Sequence, residues 1–132
     1  MNGKIVFGIV KDLKPGRFVV IDNEPCKVIG MDVSKTGKHG SAKARVDAVS
    51  LFTGSRKTLI KPGDASIEIP IIEKKAVQII AIMGNRIQLM DLQTYEMSEI
   101  DVPEEFREKI RPGIEAEIQE VMGKKMLTRI KD

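Results

Sequence analysis

Residues 34–46 read SKTGKHGSAKARV and concentrate side chains able to do chemistry. Four cations, Lys35, Lys38, Lys43 and Arg45, stand with the chain's one histidine, His39, and no acid falls between Val33 and Val46. Crowded like charges repel, so the cluster costs stability unless an anionic partner meets it. Gly37 and Gly40 bracket Lys38 and His39. Glycine accepts positive φ and adds no side-chain bulk. A lysine framed in this way reaches into a narrow space, whether an enzyme's pocket or an RNA crevice. The bland alternative is a solvated hairpin tip, as most charge runs are. The absence of acid and the glycine bracket together favour contact with a phosphate backbone.

Other constellations carry less. GKHGSAK is not a phosphate loop of the nucleotide-binding kind: His39 follows Lys38 where Ser or Thr is required, and the flanking pattern leads into a strand rather than a helix. The carboxylate pairs Glu104/Glu105 and Glu115/Glu117 have ordinary explanations, a helix N-terminus and the polar side of a strand. Neither has a nucleophile or an apolar setting beside it that would tune a pKa. One cysteine excludes an internal disulfide, and one Cys with one His gives no ligand set for structural zinc. A Cys26–His39 nucleophilic pair is conceivable, but Cys26 lies in the alternation CKVIG and points the way of Val28, as a small buried side chain. Nothing here argues for an enzyme or for a bound cofactor.

The elements that position the basic stretch are strands. RFVVI (17–21) lies between the turns KPG and DNEP, CKVIGMDV (26–33) runs into the stretch, and AKARVDAV (42–49) leaves it. On the outgoing strand Ala44, Val46 and Ala48 share one face and Lys43, Arg45 and Asp47 the other. RKTLI (56–60) and SIEIPII (66–72) follow, separated by KPGD. Short alternating runs broken by Gly, Pro and Asp predict a small antiparallel barrel, with the basic stretch at the tip between two long strands near 35–40. The pattern then restarts. AVQIIAIM (76–83) and RIQLMDL (86–92) flank Gly84-Asn85, a two-residue hairpin signal, and TYEMSEI (94–100) is a third strand. VPEEFREKIRPG (102–113) predicts a helix, with Pro103 at its first position and Phe106 and Ile110 on one face. IEAEIQEV (114–121) and KMLTRI (125–130) close the chain, with a bulge expected where the phase slips after Ile118. Three strands, a helix and two strands is the order of a five-stranded OB-type barrel. The fold class is all-β with one short helix, divided near 70–73 into units 1–71 and 72–132.

Composition agrees. With 42% hydrophobic and 31% charged residues the chain is globular rather than disordered. No apolar run is long enough to span a bilayer, and MNGKIVFGIVKD lacks the layout of a signal peptide, so a cytoplasmic protein without a membrane partner is expected. Residues 1–71 hold 12 Lys/Arg against 7 Asp/Glu, and residues 72–132 hold 10 against 12. The basic half is the one that faces a polyanion. Only Tyr95 and Phe106 are aromatic in the second half, so base stacking there is weakly supported, and the seven methionines are read as core filler.

SKTGKHGSAKARV resembles the modification loop of translation initiation factor 5A, the archaeal and eukaryotic relative of bacterial elongation factor P. VVIDNEPCKVI, EIPIIEKK and LMDLQTYEM also resemble archaeal members, so the likeness spans essentially the whole chain, and TGKHG at 36–40 is its most specific part. The resemblance implies an SH3-like first barrel and an OB second barrel. It implies that Lys38 becomes deoxyhypusine or hypusine, with Ser34, Lys35, Thr36, Gly37, His39 and Gly40 as its loop. Deoxyhypusine synthase, using NAD, would move an aminobutyl group from spermidine to the lysine amine, and this chain would be its substrate rather than an enzyme. A monomer that binds ribosomal RNA near peptidyl-tRNA and promotes peptide-bond formation is the implied role, with Lys35, Lys43 and Arg45 on RNA phosphates. The rival is an unmodified two-barrel RNA-binding protein acting by charge alone.

Overall fold

The computed structural model describes residues 4–34 and 42–131. By internal contact the chain divides into two compact units, Met1–Ile71 and Ile72–Asp132.

In the first unit, β1 (Ile5–Ile9) leads through a 3₁₀ turn, Val10–Asp12, to β2 (Phe18–Ile21), β3 (Glu24–Ser34), β4 (Lys43–Ser50), β5 (Arg56–Pro62) and β6 (Ser66–Pro70). A four-stranded antiparallel sheet has the order β2-β3-β4-β5, and β1 pairs with β6 in a separate ribbon. Alternation drives the curl. Ala44, Val46 and Ala48 are wholly buried with Val19, Cys26, Val28 and Ile67, while Lys43 and Arg45 face solvent, as the strand pattern predicts. Asp22 and Asn23 form the β2–β3 turn with φ of 53° and 63°, a conformation that their short polar side chains tolerate.

Strand β1 is absent from the sequence-based expectation. IVFGI gives no polar alternation, and Phe7 is left 72% exposed. What secures the strand is pairing with a segment some sixty residues away, Ile5 opposite Pro70 through Ile9 opposite Ser66. Gly8 permits this approach, because a Cβ there would stand 2.6 Å from Ile69 Cδ1.

A bulge interrupts β3. Val28 pairs with Ala48 and Gly30 with Asp47, so Ile29 is the extra residue. The phase flips there: Met31 turns inward opposite Val46 and packs on the core, while Asp32 comes opposite Arg45.

The second unit holds β7 (Glu73–Met83), β8 (Arg86–Asp91), β9 (Met97–Asp101), β10 (Glu115–Val121) and β11 (Lys124–Ile130), in the sheet order β11-β10-β7-β8-β9. Val77, Ile79, Ile87, Leu89, Ile100, Ala116, Ile118 and Leu127 form its core. Gly84 takes φ 64° in the two-residue turn between β7 and β8, where the Gly-Asn pair places it. The β10–β11 register shifts between Glu117 and Ile118 with Thr128 of β11 as the extra residue, so the bulge lies on β11 and not after Ile118 in β10, which pairs with β7 without a shift.

The helix expected over 103–111 is a correction. Only Glu104–Phe106 forms a 3₁₀ turn, prolonged by i→i+3 bonds from Arg107 N to Glu104 O and from Lys109 N to Phe106 O. Two prolines, Pro103 and Pro112, bound a segment too short to hold a helix by its own propensity. Phe106 and Ile110 do pack on the core, so the inward face was right and the periodicity was not. Strand β9 also starts later than expected, at Met97. Asp91 Oδ1 accepts hydrogen bonds from the N–H groups of Gln93 (2.8 Å) and Thr94 (3.1 Å) and holds the preceding residues in a turn, with Tyr95 at φ 63°.

Candidate functional site

Register defines the stem of the basic stretch. β3 and β4 pair as Met31 with Val46, Asp32 with Arg45, Val33 with Ala44 and Ser34 with Lys43. Ser34 and Lys43 are therefore the last cross-strand pair before the tip. Lys35, Thr36, Gly37, Lys38, His39 and Gly40 lie outside the described residues.

The two sides of the stem are held differently. On the outgoing side β4 lies between β3 and β5, with Lys43 opposite Pro62 and Ala44 opposite Lys61. The Gly63 N–H donates to the Ala42 carbonyl at 2.8 Å, and the Lys11 N–H donates to the Gly63 carbonyl at 2.9 Å. A chain of backbone bonds thus ties Ala42 to the turn after β5, and that turn to the 3₁₀ segment at Val10–Asp12. On the incoming side β2 pairs only with Glu24–Lys27, so the last residues of β3 have a strand partner on one side alone among the described residues.

This packing gathers cations that are remote in sequence. Lys11, Lys43 and Lys61 lie on segments that meet at Gly63, with Lys43 on the outer face of the sheet and Lys61 on the face of the buried Ala44; Lys11 Cβ would lie 3.8 Å from a Cβ placed on that glycine. Lys11 and Lys43 are exposed and Lys61 is half-buried. None of the three makes an ion pair with an acid among the described residues. Sequence reading missed Lys11 and Lys61 because the signal is a strand register, not a run of charge. Arg45 is different. Its Nε lies 3.4 Å from Asp47 Oδ1 and its cross-strand neighbour is Asp32, so the acids that flank the basic stretch in sequence both stand beside it.

Cys26 is wholly buried, and its Sγ donates to the Glu24 carbonyl at 3.4 Å. Burial pushes its thiol pKa up, which keeps it protonated and unreactive. Glu24 belongs to a polar cluster at the β2–β3 turn: Lys57 Nζ lies 3.0 Å from its Oε2 and Ser50 Oγ donates to its Oε1 at 3.2 Å. Lys57 holds the Glu24 carboxyl below its ordinary pKa, and Glu24 raises that of Lys57. Ser50 Oγ also accepts from the N–H groups of Phe52 and Thr53, so the cluster pins the β4–β5 connection.

The methionines are the second correction. Among the described residues none belongs to the fully buried core; Met31 packs against the first core, while Met83 and Met97 are 45% and 47% exposed in the second unit. Among the described residues no helix is long and apolar enough to cross a membrane.

Comparison with known proteins agrees with the geometry over nearly the whole chain. Residues 9–65 match the family described as translation initiation factor 5A-like, N-terminal, and residues 71–131 match eukaryotic elongation factor 5A hypusine, DNA-binding OB fold. Translation initiation factor 5A of Hyperthermus butylicus is 48% identical over 129 residues, covering 96% of this chain and 95% of the relative. That of Metallosphaera sedula is 50% identical, covering 96% and 98%. The solved structure of the factor 5A from Methanococcus jannaschii superposes with a TM-score of 0.87 at 40% identity, over 99% of this chain and 98% of that one. An SH3-like unit carrying a basic hairpin, an OB-type unit after it, and these likenesses place the chain in the translation initiation factor 5A family.

Proposed function

We propose that the chain acts on the ribosome beside peptidyl-tRNA and promotes peptide-bond formation through a modified Lys38. The observation that carries the reading is the stem: a paired ribbon ending at Ser34 and Lys43, anchored at Ala42, with Lys38 and its two bracketing glycines in the sequence between those ends. The family description names hypusine for the second matched part, which supports a modified lysine.

In the modification, deoxyhypusine synthase supplies the catalysis and this chain is the substrate. A C–N bond forms between Lys38 Nζ and the aminobutyl carbon of spermidine. The bond from that carbon to the donor's secondary nitrogen breaks, and the proton lost from Nζ leaves with the released amine. The product is longer and carries a second basic nitrogen. Lys35, Lys43 and Arg45, joined by Lys11 and Lys61 at the base, hold the loop on RNA phosphates. Units 1–71 and 72–132 serve as separate working parts in a cytoplasmic monomer.

Substitution of Lys38 tests this. A guanidinium keeps positive charge and reach but stays protonated, so it cannot attack. Lys38→Arg is expected to melt like the wild type, to carry no added mass, and to fail at difficult peptide bonds; protein from the native source is expected to carry the increment on Lys38. If Lys38→Arg is fully active, Lys38 is only a phosphate contact and the unmodified RNA-binding reading replaces this one.

A further inference from the structure

We propose that the outer face of β7, β8 and β9 is a docking surface for a protein segment that is both basic and apolar. Register sets three rows across these strands: Gln78, Met90 and Met97; Ala81, Gln88 and Glu99; Met83, Arg86 and Asp101. The alternate rows hold Ile79, Ile87, Leu89 and Ile100, which are buried, so the first set points outward. Three of the chain's seven methionines therefore share one outward face. Met83 and Met97 are each nearly half exposed, and Tyr95 stands 69% exposed in the turn leading to Met97. Methionine is unbranched and polarisable, and it adapts to partners of varied shape.

The charges on the face choose the partner. Arg86 is its one cation, and two carboxylates already hold it: Nη1 lies 2.8 Å from Asp101 Oδ1 and Nε lies 3.6 Å from Glu99 Oε2. Asp101 remains 84% exposed and Glu99 50%. In five-stranded barrels of this type the second and third strands commonly carry a nucleic acid. Here β8 and β9 occupy that place and present an excess of carboxylate with no aromatic in the three rows, which repels phosphate and offers no base a platform. Lysine or arginine on a partner would meet Glu99 and Asp101, and its apolar side chains would bury the methionine row. The surface lies in the second unit.

Full-length protein labelled at the methionine ε-methyls provides the test. The probes are an amphipathic peptide of leucine and lysine, its counterpart with glutamate in place of lysine, and single-stranded polyuridylate. The leucine–lysine peptide is expected to shift the signals of Met83, Met90 and Met97 and to leave Met31 in place; the other two probes are expected to leave all four unmoved. Reversing both charges, Glu99→Lys with Asp101→Lys, is expected to weaken the peptide by roughly fivefold, since exposed ion pairs are individually weak and two attractions become repulsions. Should that variant lose its fold, Glu99→Gln with Met97→Gln keeps the question open to measurement, with weaker binding expected. Methyl shifts produced by polyuridylate in preference to the peptide would overturn the proposal. So would peptide binding that leaves these methyls unmoved, or no binding.

Discussion

Replacing Lys11, Lys43 and Lys61 together with alanine tests whether the base of the hairpin is an RNA-binding surface. The three lysines lie on segments that meet at Gly63, and none has an acidic partner among the described residues. Each phosphate neutralised steepens the fall of log affinity with log salt by about 0.7 to 0.9. Three lost contacts flatten the slope by roughly 2 to 2.7. Between about 50 and 200 mM salt each contact accounts for roughly a threefold loss of affinity, so the loss suffered by the wild type should exceed that of the variant by roughly 20- to 40-fold. Fluorescence anisotropy with a labelled RNA hairpin across a salt series reads this directly. Arg45→Ala is the internal control: Asp47 already engages that guanidinium at 3.4 Å, so its loss should flatten the slope less than half as much as Lys43→Ala. A steep wild-type slope that the triple variant leaves unchanged would refute the assignment of this surface. The fold should survive, because Lys11 and Lys43 are exposed and Lys61 is only half-buried.

Three other outcomes are expected. Met122 sits in the left-handed region at φ 48° in the β10–β11 turn beside Gly123, where Asn is a better occupant, so Met122→Asn should raise stability by about 0.5–1 kcal/mol in a denaturant titration. Asp91 accepts backbone hydrogen bonds from Gln93 and Thr94, which lower its pKa. Its contribution is therefore present above the unfolded-state pKa and lost as pH falls through the lower folded value; Asp91→Asn should be less stable at neutral pH and should show a shallower acid loss in melts taken across the acidic range. Cys26 should resist thiol reagents in native buffer and react once denaturant opens the first unit; rapid native labelling would contradict the buried, protonated thiol.

Local pattern was enough for much of the fold. Alternation in AKARVDAV identified the buried face of β4, and Gly84-Asn85 marked the β7–β8 hairpin. What failed depended on distant partners or on competing local bonds. Strand β1 exists through its ladder with β6, and nothing in IVFGI announces that partner. The expected helix had the right apolar spacing, but bounding prolines left room only for i→i+3 bonds. Of the site, the acid-free stretch and its glycine bracket were visible in sequence. Lys11 and Lys61 were not, because β4 and β5 must pair and the 3₁₀ turn must bond Gly63 before their segments come beside that of Lys43. Nor was the methionine face: composition alone cannot distinguish a methionine that fills a core from one that β-register turns outward.

The bulge at Ile29 has a consequence for how this hairpin tolerates change. A strand keeps a frame of two, and an extra residue acts on it as a frameshift. Upstream of the bulge Cys26 and Val28 point inward; downstream Met31 does. Deleting Ile29 would leave Met31 opposite Val46 and facing inward, whereas closing the bulge with Ile29 kept would put Ile29 opposite Asp47 and Met31 opposite Arg45, sending Met31 to solvent and Asp32 against the buried Ala44. The direction in which the chain leaves Ser34 is thus written at Ile29, five residues earlier. Insertions or deletions between the bulge and the tip should be tolerated only in pairs, whereas the length of the tip itself is free of that parity.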